Sequence, residues 1–444
     1  MNATLIFAAV ACLQDSGRLT LTDAVDRALR THPTVASARA QRDRAAAEVG
    51  EATATRSPRV SLDAAVNQFQ LPMVVAPLHG FDPRNPPLFD RTLVQSGLTA
   101  AWTAFDFGAR SAYIRAEHAL EDAAGESLAS AEQDMVQRTV SAYLDVLTAR
   151  EMLVAQDQRL GALEAESRRV GQLLASGKAA RVEGLRVDAE VQRAQADRIG
   201  GAARLDDAEH ALAQLVDRPF ESMRGLALPE LRLADSTLAG PRTDTLTTSL
   251  QNRARLTNPQ LHALEQRVRA AQAAVTAQRA TGMPEIRLSS SFVDRGRARG
   301  DFAAEWQVGL AVSYAVYGGG SHESTVRKTG ADERIASEQL RLARLDVNRG
   351  VDRALSALRE THARVAALQS AVQQLAEVSR IERLSLDVGS GTQSDFLAAE
   401  ANLLGARASL IQAQHAEIAA RVELARILGE LSREWLARTV ESTP

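Results

Sequence analysis

Cysteine is almost missing from this 444-residue chain. Cys12 stands alone, so neither an internal disulfide nor a cysteine-built metal site can form. Aromatic side chains are scarce at 4%, although 45% of the residues are hydrophobic. A conventional globular core draws more heavily on Phe, Tyr and Trp. An apolar share that leans on Ala, with abundant Arg, Glu and Gln, suits long helices packed closely along their length. Neither sign of charge is in excess. The 52 Lys and Arg against 55 Asp and Glu leave a net charge of −3, which removes the basic footprint of a nucleic-acid binder. The eight histidines are scattered, with no two at ligand spacing. No apolar run is long enough for a transmembrane helix. Nucleophile motifs, paired carboxylates on a shared frame and phosphate loops are lacking too, so no catalytic residue, metal or cofactor is assigned. The triple Gly318-Gly319-Gly320 is not a nucleotide loop. It lacks the G-x-G-x-x-G spacing and follows an alternating segment rather than a strand buried on both faces.

The N-terminus is an apolar stretch closing on Ala9-Val10-Ala11, the small-x-small pattern of a secretory signal. Residues 1–11 therefore read as a signal-like segment that is short and lacks a preceding Lys or Arg. The bond after Ala11 admits two readings. One is ordinary cleavage; the other makes Cys12 an acylated first residue, the candidate lipidation site.

What is present is a repeat. Thr31-His32-Pro33-Thr34-Val35 matches Thr257-Asn258-Pro259-Gln260-Leu261, and Pro58 to Leu62 matches Pro284 to Leu288, at an offset of 226. Further on, Gly97-Leu98 meets Gly309-Leu310, Gly108 meets Gly320, Gly177 meets Gly389 and Leu212-Ala213 meets Leu424-Ala425, at an offset of 212. The first copy therefore carries 14 extra residues, in the Pro-rich stretch with Pro72, Pro77, Pro83, Pro86 and Pro87. The copies are predicted over 12–236 and 237–431, with a tail at 432–444; the segment 218–243, containing Pro219, Pro229 and Pro241, links them.

Each copy opens with a helix pair. The stretch Leu19 to Asp23 offers a cap before Ala24, Val25, Ala28 and Leu29 at helical spacing, and Pro33 suits the first position of a second helix. Period-2 alternation then predicts four strands, at about 59–70, 91–104, 285–294 and 303–316, each with one apolar and one polar face. About ten residues is what a tilted strand needs to cross a bilayer, and Trp102, Trp306 and Tyr314 fall near strand ends, where an aromatic belt would lie. Long helical hairpins follow, at about 109–217 and 320–429. No proline falls between Pro87 and Pro219 or between Pro284 and Pro444, and apolar positions recur at spacings of 3, 4 and 7. The hairpins turn at Gly177 and Gly389, glycine being the expected residue just past a helix end.

Four amphipathic strands cannot span a membrane alone, because open edges leave backbone groups unsatisfied in lipid. A trimer would supply twelve, an even number suited to an outer-membrane barrel. At this point the sequence resembles the TolC-like outer membrane factors. The Leu19-Thr20-Leu21-x-Asp23-Ala24 start, the His32-Pro33 and Asn258-Pro259 pair and the Gly turns carry the likeness, which runs from about Leu19 to Leu431. The resemblance implies a mainly α fold with a small β part. It implies a homotrimeric 12-stranded barrel among outer-membrane lipids, continued by a periplasmic α-helical barrel. It further implies an exit duct for efflux or type I secretion, meeting a periplasmic adaptor and an inner-membrane pump of RND, ABC or MFS type. Asp395 resembles the family's gate aspartate, with Glu183 its repeat mate; the second acidic residue some members carry one turn on is Ala398 here. Three copies of Asp395 would form an anionic constriction able to bind cations; equally, an Asp at a helix N-terminus is favoured by the helix dipole. Gly177, Lys178, Arg181, Gly389, Gly391 and Gln393 are adaptor-contact candidates by position, or plain turn and capping residues. The alternative is a soluble coiled-coil scaffold. It shares the heptads but has no need of duplicated ten-residue strands or a signal-like start.

Overall fold

The computed structural model describes residues 17–75, 84, 89–234 and 244–442; Cys12 and the signal-like segment lie outside them. Residues Leu21–Thr31 form α1, capped by Thr20, whose hydroxyl oxygen accepts the Asp23 N–H at 3.1 Å. Helix α2 (Pro33–Ala54) starts on its proline, which has no N–H to leave unpaired. Strands β1 (Arg59–Val74) and β2 (Phe89–Phe105) follow, then α3 (Ala109–Ala175) and α4 (Arg181–Leu215). After a 3-10 turn at Phe220–Ser222 comes β3 (Leu231–Leu233). Helices α5 (Asp244–Thr257) and α6 (Pro259–Ala280), strands β4 (Glu285–Arg297) and β5 (Gly300–Ser313), and helices α7 (Ser321–Asp387) and α8 (Gln393–Ile427) repeat the first series. Apart from α1 and α5, with 11 and 14 residues, the repeated helices match in length: α2 and α6 have 22 residues, α3 and α7 have 67, α4 and α8 have 35. At 1.5 Å per residue α3 and α7 are each about 100 Å long.

The strands run slightly differently from their predicted spans. β1 continues to Val74 across an irregularity between Gln68 and Met73. β5 begins at Gly300, because that glycine, at φ +110°, lets the chain reverse tightly enough to pair Arg297 with Gly300. It ends at Ser313, where its partner β4 runs out at Glu285. Trp306 therefore sits in mid-strand opposite Phe292, and Tyr314 lies just past the strand.

The chain divides into two compact units. One comprises Ala40–Ser127 and Gln260–Ala343 and holds the four-stranded antiparallel sheet in the order β1-β2-β4-β5. The other comprises Met1–Arg39, Leu128–Pro259 and Arg344–Pro444. Its main core gathers Leu21, Val25, Val140, Leu147, Leu212, Ile418 and Val422 around Tyr143, which is fully buried. The Tyr143 hydroxyl lies 3.0 Å from the Leu19 carbonyl and 3.2 Å from that of Pro229. It thus ties α3 to the segments before α1 and before β3, and burial pushes its pKa up. Residues 432–444, assigned to a tail by the sequence, hold a further helix, α9 (Arg433–Thr439), and strand β6 (Val440–Ser442), which pairs with β3.

Candidate functional site

The sheet exposes two chemically opposite faces. One cross-strand row runs Leu62–Leu98–Phe292–Trp306; the row beside it runs Ser61–Thr99–Ser291–Gln307. Alternation along each strand and matched register across strands put every apolar member on one side. Leu62 is 77% exposed and Trp306 74%. Val60, Val66, Val308, Leu310 and Val312 are exposed as well. On the other face the hydroxyls of Ser61 and Thr99 lie 2.7 Å apart. Trp102 donates its indole N–H to the Arg56 carbonyl at 2.8 Å, near the end of β2 that leads into α3. Tyr314 is exposed at the same end of the sheet, where Phe105 and Phe107 also meet edge to face at 4.8 Å. At the opposite end Phe89 and Phe302 are exposed. The sequence reading missed these two, although each stands next to a strand terminus. An exposed apolar face of this extent is not left to water in a soluble chain. Among the described residues the outer strands β1 and β5 pair on one side only.

At the far ends of the hairpins the two copies build the same turn. Gly177 (φ +69°) follows α3, with Gly177 N–H bonded to the Leu174 carbonyl at 3.0 Å and Lys178 N–H to the Leu173 carbonyl at 2.8 Å. Gly389 (φ +79°) follows α7, with Gly389 N–H on Leu386 at 3.2 Å and Ser390 N–H on Ser385 at 2.9 Å. Both are Schellman closures, which require a left-handed residue at that position. Gly391 adds a second N–H to the Ser385 carbonyl, and a Cβ there would meet Ser385 at 2.9 Å.

The helices that leave the turns start differently. Thr392 caps α8: its hydroxyl accepts the Asp395 N–H at 3.2 Å and donates to the Asp395 carboxylate at 2.6 Å. Asp395 is exposed, and Ala398 one turn on is exposed too. Ala180 precedes α4 and supplies no side-chain cap, with Glu183 half-buried in the first turn. Lys178 and Arg181 are exposed at the first tip. Gln393 does not stay at its turn. Its amide reaches across to Glu166 of α3 at 3.3 Å.

Glu166 is the residue the sequence reading overlooked. It is 2% exposed and accepts both Arg169 nitrogens, at 2.9 and 2.8 Å. This bond, with weaker contributions from Asp387 and Glu183, holds the Arg169 guanidinium more firmly protonated than usual. A Glu three residues before an Arg on a long helix is too common to single out by pattern.

The helices of this unit lie side by side in the order α4, α3, α8, α7. Arg159 joins Glu190 across α3 and α4 at 3.1 Å; Gln137 joins Glu423 and Arg407 joins Gln158 across α3 and α8, at 2.8 and 2.9 Å; His362 joins Glu417 across α7 and α8 at 2.7 Å. The outer two keep exposed apolar positions at helical spacing, Val182, Leu185 and Ile199 on α4 and Val378, Ile381 and Leu384 on α7. Among the described residues no helix is apolar enough to cross a membrane, and no group of His, Cys, Asp or Glu could hold a metal ion.

Residues 24–217 and 250–430 match the outer membrane efflux protein family. The outer membrane efflux protein BepC of Brucella suis is 25% identical over 325 residues, spanning 71% of this chain and 67% of that one. Protein CyaE of Bordetella pertussis is 30% identical over 283 residues, spanning 61% of this chain and about half, 54%, of that one. The outer membrane protein VceC of Vibrio cholerae superposes with a TM-score of 0.78 at 19% identity, over 92% of this chain and 96% of that one. The outer-membrane channel OprN gives 0.78 at 21%, over 92% and 90%, and the Campylobacter jejuni CmeC outer membrane channel 0.78 at 15%, over 93% and 86%. The mainly helical fold with its small four-stranded antiparallel sheet is that of these channels, and it gives no ground for a coiled-coil scaffold. The chain belongs to the outer membrane efflux protein family, the family of outer-membrane efflux ducts.

Proposed function

We propose that three copies of this chain close a 12-stranded barrel in the outer membrane, and that their long hairpins form a water-filled periplasmic cylinder through which a pump expels its cargo. The observation that carries this reading is the sheet itself. Among the described residues, edge strands β1 and β5 are unpaired on their outer sides, while one face carries an exposed, mainly apolar surface. In lipid such edges must close, and β5 of one chain on β1 of the next is the simplest closure. The exposed apolar positions of α4 and α7 lie at the two ends of the helix row, so contact between neighbours would cover them in the same way. Trp102 and Tyr314, with Phe105, mark one membrane interface in this reading, and Phe302 the other; Trp306 faces the acyl chains. The equal lengths of the long helices in the two series support the division into copies at 12–236 and 237–431.

At the periplasmic end, Asp395 lines the gate, with Glu183 a weaker second, and Gly177, Lys178, Arg181, Gly389, Gly391 and Gln393 meet a periplasmic adaptor. That adaptor links the duct to an inner-membrane pump of RND, ABC or MFS type. Supporting this, Asp395 is exposed and its carboxylate is fixed by Thr392. Cys12 is the candidate acylation site, and it is tested by mass spectrometry of the mature N-terminus.

Detergent-extracted protein imaged by negative-stain electron microscopy should give threefold cylinders; a flexible rod or a compact monomer would sink the barrel reading. In planar bilayers, Asp395→Ala should weaken block of conductance by divalent cations, and unchanged block would remove Asp395 from the gate.

A further inference from the structure

A cavity of about 360 Å³ lies between α3, α7 and α8, and four arginines line it: Arg159, Arg380, Arg383 and Arg407. Two of them are paired with carboxylates outside the cavity wall. Arg159 meets Glu190 at 3.1 Å and Asp197 at 3.7 Å, and Arg380 takes Glu377 in a two-pronged bond at 2.8 and 2.7 Å. The other two are held by neutral groups. The Arg383 guanidinium sits 4.6 Å over the ring of fully buried Phe396, and Arg407 donates to the Gln158 amide oxygen at 2.9 Å. Neither has a carboxylate partner among the described residues. Glu400, the one acidic residue on the wall, accepts the Ser379 hydroxyl.

A guanidinium carries five N–H donors in a planar fork that matches a carboxylate or phosphate. Here a ring and an amide fix two forks in position without spending their charge, and the partly enclosed setting strengthens any ion pair made there relative to open water. The duplication provides a control. The repeat mates of Arg383, Phe396 and Arg407, at the offset of 212, are Gly171, Gly184 and Gln195. The first hairpin folds to the same lengths without them, so these side chains are not demanded by the hairpin scaffold.

We infer that this cavity is an oxyanion-binding site, taking one carboxylate or phosphate between Arg383 and Arg407. It is separate from the gate and the turn residues. The anion has two sources with the same chemistry, a small solute or an acidic side chain of a partner protein.

The test is calorimetric titration of the detergent-solubilised full chain with citrate, and separately with a short polyglutamate peptide, at constant ionic strength. Saturable binding at one site per chain is expected. Arg383→Gln with Arg407→Gln should weaken it about tenfold or more, since each change removes a charged donor set. Arg341→Gln, on an exposed face beside Glu338, should leave it unchanged. The pair Arg383→Lys and Arg407→Lys keeps the charge but loses the fork; it should fold and still bind more weakly. Citrate binding alone assigns the site to a solute, whereas peptide binding that citrate displaces assigns it to a protein carboxylate. No saturable heat with either ligand, or equal heat from the wild type and both double variants, overturns the site.

Discussion

The two hairpin tips are the same backbone solution carrying different side chains. Each closes with a Schellman turn on a glycine at positive φ, at Gly177 and Gly389, and each leaves five residues between its helices. Beyond the glycine they part. The second tip caps its outgoing helix with Thr392 and Asp395 and sends Gln393 to Glu166; the first begins its helix at Ala180 with no side-chain cap and exposes Lys178 and Arg181. Backbone geometry has been kept across the duplication because only glycine adopts that conformation cheaply. Side chains have diverged because the turn does not depend on them. The second tip is consequently the better anchored of the two, and the first is the more exposed in charge.

The comparison can be broken most severely at Glu166. Glu166→Ala should destabilise the protein by about 2 kcal/mol, the low side for a broken buried pair because Arg169 is one-third exposed. The apparent Tm of the detergent-solubilised protein should fall, and hydrogen exchange should accelerate at the start of α8 as well as around Arg169. Exchange confined to α3 would show that Gln393 is no tie between the hairpins. Next come the glycines. Gly177→Ala and Gly389→Ala should each cost about 1 kcal/mol, as a left-handed Ala does. A Cβ at either position meets nothing within 4 Å, so the two costs should be equal. Unequal melting losses would mean that the tips differ in backbone as well. Thr392→Ala should cost about 1 kcal/mol or somewhat less and speed exchange at the Asp395 amide; an unchanged rate there would remove the cap from the account. The smallest effect runs in the opposite sense. Ala180→Ser installs at the first tip the cap it lacks and should slow exchange at the Glu183 amide, with a gain of a few tenths of a kcal/mol up to about 1. No slowing would show that the first tip's start is fixed by something other than capping.

Much of this was legible in the sequence because it rests on local rules. Alternation of Val60, Leu62, Ala64 and Val66 marks a strand with two unlike faces, a proline-free run with heptad apolar spacing marks a long helix, and Gly177 and Gly389 mark helix ends. What escaped was long-range. Nothing near Leu231 or Val440 indicates that β3 and β6 pair across more than 200 residues of chain. Glu166 looks like any helical Glu until α8 brings Gln393 against it. The strand limits near Gly300 and Ser313 depend on where a partner strand stops, which no local pattern records.

By itself, then, the sequence determined the parts: two copies of a helix pair, a strand pair and a long hairpin, with turns placed by glycine. Those follow from period, propensity and allowed φ, all set within a few residues. The tertiary structure decided the sheet order β1-β2-β4-β5, which aligns Leu62, Leu98, Phe292 and Trp306 in one apolar row. It also decided the side-by-side order of the helices, which buries Glu166 and gathers four arginines around one cavity. Both depend on which distant segments meet, and burial, charge pairing and register acquire their values only once those segments are in contact.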